Sequence, residues 1–229
     1  MRVFRGRVEA REDPVAADRA ATDAMVEGAV ETGESALRVW TPHRQVAFGR
    51  RDARTEGYDR ARAAARRQGY PPVEREVGGR AVAYTGSTVA FARAHPDADR
   101  TAIRARYEDA TARLQEALVG LGVEAREGEP DGAFCPGTHS LQAEGKVAGL
   151  AQRVGREVSV TAGIVVVRDH EAIADVLEPV YGALDVPFDA GAVGSVARAG
   201  GDGDPGAVRR ALEAAFAGPD PHVERIGEV

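Results

Sequence analysis

Residues 134–153 read FCPGTHSLQAEGKVAGLAQR and contain the features on which the fold and the chemistry depend. The stretch opens with Cys135-Pro136-Gly137, a turn sequence that suits neither a helix nor the interior of a strand. Two runs with strand character follow, Ser140–Glu144 and Val147–Arg153. We therefore predict a loop that carries the cysteine, followed by a β-hairpin whose turn is Glu144-Gly145-Lys146.

Cys135 is the only cysteine of the chain, and two interpretations of it are open. A lone cysteine is commonly a buried side chain that behaves as a small hydrophobe. A thiol on a loop is instead accessible, and a neighbouring cation would favour the reactive thiolate. His139 follows closely and would form a Cys–His pair if it folded back, whereas a surface histidine is the simpler interpretation. The residues alone do not separate a structural cysteine from a nucleophile.

Lys146 is the single lysine among the 30 Lys and Arg residues, so arginine serves nearly every position that needs a cation. An exposed lysine at a hairpin turn is the ordinary interpretation. The exclusion of lysine elsewhere favours a functional one, and so does Gly149, because a strand glycine often marks the close approach of a ligand. An ammonium also loses its proton on burial more readily than a guanidinium does. Cys135 and Lys146 together suggest a thiolate and an ammonium that act as a pair.

The composition bounds the class of protein. The chain has 229 residues, of which 43% are hydrophobic, and a net charge of −6. This length predicts one domain over residues 1–229 with a sizeable core. The acidic balance disfavours nucleic acid as a partner, because phosphate binding needs a basic face. One cysteine excludes an internal disulfide, and no histidine spacing resembles a metal site. Without a signal-peptide or membrane-spanning run, we expect a cytoplasmic protein with no membrane partner.

Hydrophobic periodicity and turn residues predict the remaining elements. Helices are expected from Asp13-Pro14 to about Glu31, over Tyr58–Gln68 and Thr101–Leu121, from Asp169 to about Leu184, and after Asp204-Pro205. Further strands are expected at Arg2–Val8, Ala36–Thr41, Gln45–Phe48, Glu74–Arg75, Ala81–Thr85, Thr88–Arg93, Val123–Arg126 and Glu157–Val167. The strands occur in clusters with helices between them, without strict βαβ alternation. This order predicts an α+β fold with a mixed or antiparallel central sheet flanked by helices.

A glycine pair, Gly78-Gly79, lies between two of these strands. Paired glycines let backbone N–H groups approach an anion or a carbonyl group without interference from side chains. A plain hairpin turn is the alternative. The pair does not fit the dinucleotide-binding fingerprint, which needs a strand, GxGxxG and a helix in succession.

Four motifs in chain order resemble those of the lipoate-protein ligase A and octanoyltransferase family. They are Phe48-Gly49-Arg50, Arg75-Glu76-Val77-Gly78-Gly79-Arg80-Ala81-Val82, Gly145-Lys146-Val147-Ala148-Gly149-Leu150-Ala151-Gln152-Arg153 and Gly163-Ile164-Val165-Val166. The second is similar to the family's Arg-x-x-Gly-Gly-x-Ala-Val signature, and the third to its Gly-x-Lys-x-x-Gly-x-x-Gln-Arg signature. The resemblance implies a catalytic domain like that of the class II biotin–lipoate ligases. It further implies that the catalytic residues are Cys135 and Lys146 and that the acyl substrate is bound by Arg75, Gly78, Gly79, Ala81, Val82, Gly149 and Ala151.

The loop that carries Cys135 resembles that of the cysteine-dependent octanoyl amidotransferases, in which the loop cysteine accepts the acyl group. The implied activity needs no cofactor and moves an octanoyl or lipoyl group through a Cys135 thioester, with Lys146 favouring the thiolate. The implied donors are the octanoylated H protein of glycine cleavage and acyl carrier protein. The implied acceptors are lipoyl domains of 2-oxoacid dehydrogenases, and acidic partners of this kind would suit local arginine clusters.

Two other functions remain open under this resemblance. In an ATP-dependent lipoate-protein ligase, Lys146 would contact an acyl-adenylate and Cys135 would be incidental. The chain departs from the ligases at Thr161-Ala162-Gly163, where they typically have His-His-Gly. A non-catalytic carrier for lipoyl domains is the third function, and the presence of both Cys135 and Lys146 speaks against it.

Overall fold

The computed structural model describes residues 1–8, 12–75 and 78–226 of the chain. Within these residues eleven strands and five helices are formed. The strands are β1 (Arg2–Arg5), β2 (Ala36–Trp40), β3 (Gln45–Phe48), β4 (Pro72–Glu74), β5 (Val82–Tyr84), β6 (Val89–His95), β7 (Arg126–Glu127), β8 (Ser140–Gln142), β9 (Lys146–Val154), β10 (Ser159–Val165) and β11 (His222–Arg225). The helices are α1 (Pro14–Thr32), α2 (Tyr58–Arg67), α3 (Ile103–Gly120), α4 (His170–Ala183) and α5 (Pro205–Ala217).

The strands form two sheets, and both are mixed. The large sheet has the order β11-β1-β2-β6-β10-β9-β8-β7, and the small sheet has the order β4-β3-β5. In the large sheet β1 is parallel to β11 and to β2, and the remaining pairs are antiparallel. In the small sheet β3 is parallel to β4 and antiparallel to β5. This arrangement confirms the predicted α+β fold with a mixed sheet flanked by helices.

The two faces of the large sheet carry different cores because successive strand residues point to opposite sides. Phe91 packs with α3 and α5 on one face, and its ring lies 4.6 Å from that of Phe216. Its neighbour Ala92 packs on the other face with Met25 and Ala29 of α1. Helices α2 and α4 pack on the small sheet. The large sheet is thus a wall between α3 and α5 on one side and α1 on the other.

The predicted hairpin is confirmed, since β8 and β9 pair in antiparallel fashion. Among the helix caps, Asp13 and Asp204 accept hydrogen bonds from backbone N–H groups of α1 and α5, as predicted. Asp169 does not cap α4 through its side chain, which accepts a hydrogen bond from the Ser87 hydroxyl instead.

Some predicted bounds were wrong. Strand β1 ends at Arg5 rather than at Val8, and the strand predicted at Val123–Arg126 lies at Arg126–Glu127. The helix predicted from Thr101 begins at Ile103, after a short 3-10 turn, and Ile103 itself is exposed. None of the helices in the described part of the chain is both long and apolar enough to cross a membrane.

Candidate active site

A cavity of about 510 Å³ lies between α1, the large sheet and the small sheet. Its floor includes Ala92 of β6, Ala162 of β10 and Ala151 of β9, which stand side by side across the three strands. Three methyl side chains in one row leave a trough on the sheet. Larger apolar residues flank the trough, with Ile164 and Val160 on the same strand face as Ala162. The cavity therefore has the shape and polarity that suit a linear apolar group.

Cys135 lies in the lining of this cavity, in a strained loop conformation. Its φ angle is 42°, in the left-handed region that residues with a side chain seldom adopt. Its side chain is only partly exposed. The sulfur accepts two hydrogen bonds, from Arg75 Nη2 at 3.3 Å and from the backbone N–H of Arg80 at 3.3 Å. A strained residue whose sulfur faces a cation and a backbone donor is the arrangement expected at a reactive thiol.

Lys146 is buried, with 2% of its surface exposed, so the interpretation as an exposed turn lysine is wrong. Its Nζ donates to Glu129 Oε1 at 2.8 Å, to the Phe134 carbonyl at 3.0 Å and to the Cys135 carbonyl at 2.9 Å. An ammonium has three protons, and each has an acceptor here. The structure thus brings Lys146 to Cys135, but through the backbone carbonyl of Cys135 and not through its sulfur.

The segment from Gly78 to Arg80 forms the wall beside the sulfur. Gly79 has a φ of 88°, and a Cβ on it would lie 2.8 Å from Cys135 Sγ. A Cβ on Gly49 would lie 2.2 Å from the Gly79 carbonyl oxygen, so two glycine backbones meet here in close contact. Only residues without a side chain permit this approach.

An ion pair between Arg80 and the buried Asp52 holds the same segment from behind. Asp52 is fully buried, and its carboxylate accepts from Arg80 Nη1 at 3.1 Å and from the Gly49 N–H at 3.2 Å. The Arg80 carbonyl accepts from Arg75 Nη2 at 2.6 Å. The backbone N–H of Arg80 is consequently aimed at the sulfur by contacts on both sides of the peptide chain.

Tyr181 of α4 links the cysteine loop to the glycine segment. The hydroxyl accepts from the Cys135 N–H at 2.6 Å and donates to the Ala81 carbonyl at 2.9 Å. Burial raises the pKa of Tyr181, so the side chain stays a neutral phenol that can donate and accept at once. Tyr181 thus holds the loop of Cys135 in place without itself lining the cavity.

Most of the residues predicted to bind substrate lie around this cavity. Arg75, Val82, Gly149 and Ala151 line it together with Cys135 and Lys146. Gly79 does not line the cavity but lies directly beside the Cys135 sulfur. The other two lie elsewhere, with Ala81 buried behind the wall and Gly78 exposed. His139 stacks on the ring of Tyr107 with centroids 3.6 Å apart, and the contacts that the sulfur makes are to Arg75 and Arg80.

Sequence reasoning missed three residues of the site, namely Glu129, Asp52 and Tyr181. Tyr181 lies within the helix predicted to begin at Asp169, and its hydroxyl was the available signal, because a buried tyrosine hydroxyl needs a hydrogen-bond partner. Glu129 accepts from Lys146 Nζ, the Ser140 hydroxyl and the Gly137 N–H. It carries no signal in the sequence, because these partners are set by the tertiary fold. In the described part of the chain, no group of three or more His, Cys, Asp or Glu residues could hold a metal ion.

Comparisons with known proteins agree with this architecture. A family model described as lipoyl protein ligase A/B catalytic domain matches residues 13–190. The structure of a lipoate-protein ligase A bound with ATP superimposes with a TM-score of 0.75 and 20% sequence identity, covering 99% of this chain and 89% of that chain. The similarity at this level of identity concerns the fold.

Two curated relatives extend the comparison to named transferases. A lipoyl-[GcvH]:protein N-lipoyltransferase of Listeria monocytogenes is 27% identical over 150 residues, which are 64% of this chain and 54% of the relative. An octanoyl-[GcvH]:protein N-octanoyltransferase of Geobacillus kaustophilus is 33% identical over 129 residues, which are 55% of this chain and 46% of the relative. The chain thus matches about half the length of these curated relatives.

Proposed function

Because this chain belongs to the lipoyl protein ligase A/B catalytic domain family, we propose that it transfers an octanoyl or lipoyl group to a protein lysine through a thioester on Cys135. The observation that carries the proposal is the position of the sulfur. Cys135 Sγ lies at an apolar cavity and contacts a guanidinium and a backbone N–H. The names of the transferase relatives agree with this activity.

The reaction consists of two acyl exchanges at one sulfur. In the first, the Cys135 thiolate attacks the carbonyl carbon of an acylated lysine, a C–S bond forms, and the C–N bond breaks as the donor lysine takes up a proton and leaves as an amine. With an acylated carrier protein as donor, the bond that breaks is the C–S bond of its thioester, and the carrier takes up the proton and leaves as a thiol. In the second, the neutral ε-amine of an acceptor lysine attacks the thioester, a C–N bond forms, and the thiolate is released while the new amide loses a proton. Protons taken up and released cancel, so the exchange needs neither ATP nor a redox partner.

The apolar cavity would hold the acyl chain in both exchanges. The carbonyl then lies at the cysteine end, beside the exposed backbone of Gly78-Gly79, which we assign as the region that stabilises the developing oxyanion. Such stabilisation typically accounts for about 10²–10³ in rate per donor. When a linear acyl chain is buried in the trough of alanines, its carbonyl group is held at a fixed position relative to the sulfur.

The proposed donor is an octanoylated H protein of glycine cleavage or an acylated carrier protein, and the proposed acceptors are lipoyl domains of 2-oxoacid dehydrogenases. The printed names of both relatives specify GcvH for those proteins. All of these partners present the reacting group on a flexible arm, which suits a sulfur at a cavity that is open to solvent.

The test is an intact mass of the protein after incubation with octanoylated H protein in the absence of nucleotide. The proposal expects an added octanoyl group that hydroxylamine removes and that Cys135→Ala abolishes. No adduct, together with ATP-dependent lipoylation that survives Cys135→Ala, would instead identify an ATP-dependent ligase. Tight binding of lipoyl domains with no acyl transfer under either condition would identify a carrier.

A further inference from the structure

We propose that a row of exposed arginines beside the thiol site is the docking surface for an acidic protein domain that presents the reacting lysine. The row consists of Arg50, Arg51, Arg54 and Arg60, and we call it the arginine rim. The inference rests on the proposed function, because that function requires a second protein to bring a lysine to the Cys135 sulfur. It adds the surface on which this second protein binds.

The arginine rim begins at the wall of the thiol site. A Cβ on Gly49 would collide with the Gly79 carbonyl oxygen, and Gly79 in turn lies directly beside the Cys135 sulfur. Gly79 is exposed, so the wall faces solvent at this point. Arg50 and Arg51 are the next two residues of the chain after Gly49. Because successive Cα atoms are about 3.8 Å apart, the Cα atoms of these two cations lie at most about 8 Å from that of Gly49.

Buried contacts fix the rest of the rim to the same part of the domain. Arg54 ends a 3-10 turn that starts at Asp52, and the buried Asp52 carboxylate is paired with Arg80 of the wall. The start of α2 is fixed as well, since a Cβ on Gly57 would collide with the Ala183 carbonyl oxygen at the end of α4. The backbone of the rim therefore keeps its position relative to the sulfur.

The charges of the rim are not neutralised by carboxylates. Residues 50–67 contain seven arginines against three acidic residues. Within the described part of the chain, no ion pair or hydrogen bond engages the side chains of the four rim arginines. On α5, in contrast, Arg209 pairs with Glu213 and Arg210 pairs with Asp204. Unpaired guanidinium groups project their positive potential into solvent, where a partner of opposite charge meets it.

The charge of the whole chain determines which kind of partner suits the rim. The net charge is −6, so an acidic domain is repelled by the molecule as a whole and attracted at a local excess of cations. Such a potential orients the approaching domain, which brings its lysine to the side of the molecule where Cys135 lies. Nucleic acid is the other polyanion that arginines attract, but its binding needs an extended basic face and it carries no lysine to the sulfur.

The experiment compares two double variants that remove the same charge from different sides of the domain. Arg51→Gln/Arg54→Gln acts on the rim. Arg209→Gln/Arg210→Gln is the matched control on α5, which packs on the face of the large sheet turned away from the cavity. Binding of unacylated H protein of glycine cleavage is measured by calorimetry at low ionic strength. The rim variant should bind about tenfold more weakly than the wild type, and the control should stay within about twofold.

Salt and a small acyl donor separate docking from chemistry. At about 1 M salt the Debye length is about 3 Å, so the affinities of the wild type and the rim variant should converge. The octanoyl thioester of N-acetylcysteamine has no protein part to dock. Intact mass should therefore show that it acylates Cys135 at the same rate in the wild type and in both double variants.

Several results would overturn the inference. They are no binding of H protein by the wild type at low ionic strength, unchanged binding by a rim variant that is folded by circular dichroism, and equal weakening in both double variants, which would assign the effect to net charge. Tighter binding of oligouridine than of H protein at the rim would make nucleic acid the partner. The calorimetry needs no acyl transfer, so loss of binding in the rim variant alone supports the docking surface even if no thioester forms on Cys135.

Discussion

Replacement of Gly79 by alanine should damage the thiol site, whereas the same replacement at the adjacent Gly78 should not. Gly79 has a φ of 88°, and an added Cβ would lie 2.8 Å from Cys135 Sγ and 3.2 Å from Arg75 Nη2. At Gly78 an added Cβ would meet no atom of the described residues within 4 Å. The two variants therefore introduce the same methyl group at adjacent positions, one of which is crowded and the other open.

The expected magnitude follows from two effects. An alanine in the left-handed region costs roughly 1–2 kcal/mol of stability. The optimum separation of nonbonded carbon atoms is about 3.5–4.0 Å, so a Cβ at Gly79 must push the sulfur away by roughly 1 Å. A displacement of about 1 Å in a reacting group can cost about 10²-fold in rate. We expect Gly79→Ala to lose about 1–2 kcal/mol in unfolding free energy and about 100-fold in the rate of acylation of Cys135.

Two measurements separate these effects. Urea unfolding gives the stability of each variant, and the initial rate of octanoyl mass gain under single-turnover conditions gives the acylation of Cys135. Gly78→Ala should stay within about 0.5 kcal/mol of the wild type, because its Cβ meets no neighbour, and its acylation rate should stay well above that of Gly79→Ala. An acylation rate for Gly79→Ala equal to that of Gly78→Ala would refute the placement of Gly79 against the sulfur.

Three further predictions address the scaffold, the cavity and the pH dependence. Tyr181→Phe leaves the partly buried N–H of Cys135 and the buried carbonyl of Ala81 without their shared partner, so the unfolding free energy measured in urea should fall by about 2 kcal/mol. Ala162→Leu fills the trough, and the ratio of kcat/KM for octanoyl over butanoyl donors should fall at least about tenfold; an unchanged ratio would place the acyl chain elsewhere. Burial lowers the pKa of His95 from 6.5 to about 4, and the positive charges of two nearby arginines add to this shift. The unfolded chain therefore binds more protons between these values, so stability should fall as the pH drops from 6.5 towards 4, and His95→Gln should flatten that slope in urea midpoints.

The secondary structure was largely predictable because local rules determine it. Asp13 and Asp204 precede prolines at helix starts, and their side chains accept the backbone hydrogen bonds that such caps require. Alternating residues around a glycine turn predicted the hairpin of β8 and β9. The errors arose where tertiary contacts compete with local preference. Aspartate is a common helix-capping residue, but the carboxylate of Asp169 accepts a hydrogen bond from the Ser87 hydroxyl of a neighbouring loop instead.

The sequence named several of the residues that line the cavity, but it did not predict the contacts between them. Cys135, Lys146 and Arg75 were all named from the sequence, yet the proximity of Cys135 and Lys146 along the chain suggested the wrong contact between them. The contact to the sulfur comes from Arg75, 60 residues away, and the contact to the Cys135 N–H comes from Tyr181, 46 residues away. Hydrogen bonds over such separations depend on how the two sheets pack, and no local pattern reports on that packing.

The position of Cys135 at the seam between the two sheets explains why its loop needs so many anchors. On one side Lys146, the first residue of β9, holds the loop from the large sheet. On the other side Tyr181 of α4 and the Arg80 segment hold it from the small sheet. A strained residue fixed to only one sheet could relax by moving with that sheet, whereas one fixed to both can relax only if the sheets separate. The strain at Cys135 is therefore maintained by the packing of the whole domain, and the sulfur keeps one position relative to the cavity because both walls of the cavity hold it.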